Sequence, residues 1–163
     1  MNLNEQRVMH LQSMASGPKQ LRGLLSQVPQ GRLPLSHGPE IWSIHQNVAH
    51  LVEVQPLLLG RIELFISQKE PKVVPFYPQP SPDGQREKAT IEELLGIFQI
   101  YRDQQVQLLK AAPDQVWSRK GTHPQYSPYD FLIMVRHIHL HDAFHFYRIE
   151  ELAFMDPQCI KPM

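Results

Sequence analysis

Residues 127–152, SPYDFLIMVRHIHLHDAFHFYRIEEL, decide how this chain is read. Four of its nine histidines lie in this stretch, and apolar residues fill most of the positions around them. Ser127, Pro128 and Asp130 supply a helix start: a cap, a proline at the first helical position and an acid at the third. The helix is predicted to run to about Phe154, before Pro157. At about 100° per residue, His145 projects about 40° from His141, and Met134, Ile138, Ile149 and Leu152 share their side. One turn therefore presents two imidazoles to the interior. His137 falls at the margin of the stripe, and His139 is expected to face outward. Leu132, Val135 and Phe146 carry the apolar arc well past one face, which predicts several helical neighbours or a dimer surface.

Three further periodic segments precede this one. Residues 4–28 place Val8, Leu11, Met14, Leu21, Leu24 and Val28 at helical spacing, interrupted near Gly17 and Pro18. One kinked helix or two short ones would satisfy that pattern. Ser43 with Gln46 forms a capping box, opening a helix that continues to about Ser67 with a bend at Pro56. Thr90 with Glu93 forms another, opening a third run that ends before Pro113. Between them, residues 69–85 hold many of the fifteen prolines and read as an ordered crossover in which Val73, Val74, Phe76 and Tyr77 cover apolar surface. No stretch alternates with period two. The expected fold is all-α: a four-helix bundle with long crossover connections, forming one domain over residues 1–163.

Composition sets limits on function. Lys and Arg number 16 and Asp and Glu 16, so the net charge of zero offers no argument for a nucleic-acid or anionic-membrane partner. No apolar run reaches membrane-spanning length, and MNLNEQR does not resemble a signal peptide. The single cysteine, Cys159, forbids an intrachain disulfide framework. A cytoplasmic protein acting on a small molecule is the expectation.

Two histidines at i and i+4 can bind one ion, with imidazole nitrogens about 2.0–2.1 Å from zinc, and a third from another helix leaves a position open for water or substrate. His50, which shares its side with Val54 and Leu57, is the candidate third; His45 projects elsewhere. Taken alone, the pair reads more readily as hydrogen-bonded core histidines than as ligands.

Three stretches in their order alter that balance: WSIHQNVAHLVEVQ at residues 42–55, GTHPQYSPYDFL at 121–132, and HDAFHFYRI at 141–149. Together they resemble the DinB/YfiT-like superfamily of metalloenzymes. The resemblance implies a bundle in which His50, His141 and His145 hold a divalent metal, zinc or nickel, in a pocket at one end. It also implies a homodimer, and S-transfer dependent on a low-molecular-weight thiol, hydrolysis or isomerisation as the chemistry, without DNA binding. Gln55, standing where an acid is common, and the following Pro56 depart from the pattern. No thiol-cofactor signature stands out.

An ion held by three neutral ligands keeps its charge; it can lower the pKa of a bound water, bind a thiolate or polarise a carbonyl. Glu53, one turn after His50, is the candidate catalytic acid residue, as proton acceptor or as an orienting group. Asp142 projects away from the pair, toward a partner outside the ligand set. His123, Tyr126 and His137 are candidate pocket residues, and Trp42 and Trp117 packing residues. Arg61 lies about 16 Å of helical rise beyond His50, too far for a straight helix to bring it to the site. The competing reading is a metal-stabilised or ligand-binding bundle without catalysis.

Overall fold

Each long helix begins where a side chain takes up otherwise unsatisfied backbone N–H groups. In the computed structural model, which describes residues 2–38, 40–75 and 88–162, Asn2 and Glu5 form a capping box that opens α1, Leu3–Leu25. Ser43 and Gln46 open α2, Ile44–Glu53, and Thr90 and Glu93 open α4, Ile91–Ala111. The short α5, Asp114–Trp117, lies in the connection before α6, Phe131–Phe154. Among the described residues there are isolated bridges and no strands. The fold is an all-α bundle.

Two helix boundaries differ from expectation. The cap of α6 is Asp130, whose carboxylate accepts from the Ile133 N–H at 2.8 Å, so the helix starts three residues later than Ser127 and Pro128 suggest. The preceding residues are held in extended backbone contacts instead: Gly121 N–H bonds Tyr129 O, and Phe131 N–H bonds Arg119 O. Pro56 does not bend one helix but begins another. α2 stops at Glu53, Val54 intervenes, and α3 spans Gln55–Ser67 with the proline in its first turn, where a missing N–H costs nothing. Conversely, α1 runs unbroken through Pro18.

The crossover after α3 is anchored by Val73 N–H to Thr122 O at 2.8 Å and Thr122 N–H to Pro71 O at 2.9 Å. Val73 is buried as expected, but Val74 is 77% exposed. Phe76 and Tyr77 lie outside the described residues. α1 packs on α4 and α6, α2 on the same two helices, and α3 chiefly on α4.

The interior divides in two. One apolar cluster gathers Ile62, Phe65, Leu109, Trp117, Phe131 and Met134; the other gathers Leu21, Ile44, Leu51, Phe98, Ile149 and Leu152. Between them along the helices runs a stratum of buried polar side chains: Asn47 and His50 on α2, Gln55 on α3, Arg102 and Gln105 on α4, and Asp142 and His145 on α6. Gln105 donates to the Gln55 side-chain oxygen at 3.0 Å, and Gln55 donates to Leu51 O at 2.7 Å. Leu140, Phe144 and Tyr147 form an exposed row along the outer side of α6, so part of its apolar arc is not covered within the chain. No described helix is long and apolar enough to cross a membrane.

Candidate metal centre

His50 reaches the polar stratum from α2, and His141 and His145 reach it from successive turns of α6. Their ligand-capable nitrogens all lie within 4.8 Å of one another. The Nε2 atoms of His50 and His141 are 3.2 Å apart. Two nitrogens bound tetrahedrally to one ion at about 2.0–2.1 Å would themselves stand about 3.3 Å apart, so this spacing suits a shared cation. The donor set is nitrogen only, with three protein ligands, and can hold a divalent metal with room for a further ligand.

The outer nitrogens of two rings are oriented from α2. His145 Nδ1 lies 2.8 Å from Asn47 Oδ1. The Asn47 amide nitrogen donates to Ser43 O at 2.9 Å, which fixes its oxygen toward His145. That oxygen can only accept, so His145 carries its proton on Nδ1 and offers Nε2 as the ligand atom. Glu53 Oε2 sits 3.8 Å from His50 Nδ1, on the side of the ring away from His141. Trp42 stacks on His145 with ring centroids 6.3 Å apart and lies 5.1 Å from His50. Burial lowers the pKa of His141 and brings that of His145 down to about 3, the latter helped by its two histidine neighbours. Both rings are neutral at physiological pH, the state that ligates.

His50 and His141 open onto a cavity of about 330 Å³ whose walls include Val54, Leu57, Leu58, Met134 and Ile138. His137 and Tyr129 line it as well. His123 and Tyr126 are not wall residues: the Tyr126 ring packs on His137 at 4.7 Å, and His123 packs on Tyr129 at 4.8 Å. Arg61 is a wall residue of the same cavity, against the straight-helix argument. α2 and α3 are separate helices with Val54 between them, so His50 and Arg61 do not sit on one uninterrupted helix. His45 bonds Ala89 O at 2.8 Å, away from the cluster.

Asp142 turns from the triad to Arg102, 2.6 Å away and fully buried. Sequence reading missed Asn47, although an asparagine one turn before His50 on the buried side of an amphipathic helix was a usable signal.

His139 does not face outward. Its Nε2 lies 2.8 Å from Nδ1 of the buried His10, because α1 packs on that side of α6. Burial, with the His139 ring and the positive Arg136 nearby, lowers the His10 pKa from 6.5 to about 4. The unfolded chain thus binds the extra proton first, and stability declines as pH falls below 6.5 until the folded pKa is reached. Urea unfolding should show wild type losing roughly 2–3 kcal/mol more than His10→Gln between neutrality and the folded-state pKa. Parallel pH profiles for the two proteins would rule this out.

A sequence profile described as the DinB superfamily matches residues 14–149. Among solved structures, the fold is similar to that of YfiT from Bacillus subtilis, described as "a probable metal-dependent hydrolase with an unusual four-helix bundle topology". The TM-score is 0.78 at 20% identity, covering 91% of this chain and 86% of that one. No curated protein matches by sequence.

Proposed function

This chain belongs to the DinB superfamily, and from that premise we propose that it is a divalent-metal-dependent enzyme acting on a small molecule by hydrolysis or thiol transfer. The observation that carries the proposal is the convergence of His50, His141 and His145 beside a cavity large enough for a ligand. A closed structural site would surround its ion with a fourth protein ligand; here the neighbouring space is a substrate-sized volume. The description of YfiT as a hydrolase favours the first chemistry.

Zinc or nickel suits three imidazoles. When bound, such an ion supplies Lewis acidity, drawing down the pKa of water or of a low-molecular-weight thiol and polarising a carbonyl. The chain's own residues do the positioning. Asn47 holds the His145 tautomer, Trp42 shields two rings from water, and the apolar wall excludes solvent from the substrate. Glu53 fits an orienting role better than a proton-accepting one, since it approaches the Nδ1 side of His50 rather than the cavity.

Purified protein should carry about one divalent ion per chain by elemental analysis. Chelation should abolish turnover on a panel of activated esters, or of electrophiles offered with small thiols, and zinc or nickel should restore it. Turnover indifferent to chelation would end the proposal. Stoichiometric metal with no turnover on either panel would favour a metal-stabilised bundle.

A further inference from the structure

The cavity beside the triad has a second charged wall. Arg61 lines it together with Tyr129 and His137. While Arg32 and Arg119 bond backbone carbonyls, Arg7, Arg22, Arg102 and Arg148 each have a carboxylate partner. Arg61 has none among the described residues, although burial is sufficient to lower its pKa. One terminal nitrogen donates to Val74 O at 2.9 Å, while its Nε is buried without a hydrogen-bond partner among the described residues. A guanidinium keeps its proton in proteins, and a half-buried cation without a counter-charge has lost part of its hydration without compensation. The remaining wall side chains Val54, Leu57, Leu58, Met134 and Ile138 offer it no compensation.

We infer that Arg61 receives a carboxylate of the substrate, so that the cavity takes a small carboxylic acid whose apolar body lies along its wall and whose reacting group reaches the triad. Three observations narrow the ligand. The volume of about 330 Å³ is at the small end for ligand cavities. Arg61 is near enough to His137 to act on its charge, and His137 stands one turn before His141 on α6, about 6 Å by rise, so the cation and the triad border the same part of the cavity. Among the described side chains that line the cavity only Arg61 carries a full positive charge, separate from that of the proposed ion, and a planar carboxylate matches one guanidinium edge, whereas a phosphate would call for more donors. His123 and His137 lie nearby, but burial lowers both their pKa values, and they add hydrogen-bonding capacity rather than charge.

The assignment rests on the metal-dependent reading for the reacting end only, and the test separates the two. Hexanoate and its neutral amide, hexanamide, are titrated into metal-loaded protein and into chelator-treated protein, with binding followed by calorimetry and amide NMR shifts. Hexanoate should bind about tenfold or more tightly than hexanamide in both samples, the scale of one charge-assisted hydrogen-bonded pair. Arg61→Gln should lower hexanoate affinity by about the same factor and leave hexanamide unchanged. Equal binding of acid and amide by the unaltered protein overturns the inference, whatever the variant does. A preference that vanishes on chelation but survives Arg61→Gln also overturns it, because the carboxylate would then be sitting on the metal. An Arg61-dependent preference in a protein that binds no metal upholds the Arg61 site while the metal-dependent reading falls.

Discussion

His141→Ala is expected to leave the protein with less than a tenth of its bound divalent metal after gel filtration, and His50→Ala should do the same. Each variant reduces three nitrogen donors to two, and no other described acid or histidine joins them in a ligand-capable cluster. Asn47→Ala should fall between: it keeps all three rings but frees the His145 tautomer, weakening metal by about 10–100-fold in chelator competition. His139→Ala, only two residues from His141, should retain its metal, since that ring belongs to the His10 contact. This pattern distinguishes a specific triad from a general loss of histidine. Normal metal content in well-folded His50→Ala and His141→Ala proteins would dispose of the triad.

Arg102→Met should cost about 3–5 kcal/mol in urea unfolding. Arg102 and Asp142 meet at 2.6 Å with side-chain exposures of 0% and 4%, deep in the polar stratum. Removing the guanidinium strands a carboxylate that cannot reach water, and the uncompensated charge sets the size of the effect. The double variant Arg102→Met/Asp142→Leu should recover most of the loss, because two apolar groups of similar volume need no pairing. A double variant no more stable than the single one would mean that packing, rather than charge, dominates here. The pair also adjoins the site, since Asp142 follows His141, so metal affinity of the double variant reports whether it steadies that ring.

Much of the architecture was legible because it is written locally. The Ser43/Gln46 and Thr90/Glu93 capping boxes set two helix starts to the residue, and Phe154 ended the last helix as expected. The start of α6 was misread because Ser127 and Pro128 satisfy a local pattern that the extended pairing of residues 119–131 overrides. Angular projection placed His141 and His145 together and sent Asp142 to a partner elsewhere. It failed for His139, since an angle does not say which side of a helix has a neighbour; α1 covers the side assumed to be open. Arg61 was set aside on helical rise alone, and the interruption at Val54 lies beyond what a residue count reveals.

The two apolar clusters are separated by side chains whose contacts are directional and charged. Hydrophobic packing tolerates compensating swaps, while hydrogen-bonded and ionic geometry does not. Evolutionary drift therefore has latitude inside each oily compartment, with a size change at Phe65, for example, answered by Phe131. It has little across the partition, where Arg102, Asp142, Asn47 and the imidazoles act as a bulkhead. Reshaping this protein for a new substrate is best begun in the compartment that contributes Leu58, Met134 and Ile138 to the cavity, leaving the other as an untouched foundation.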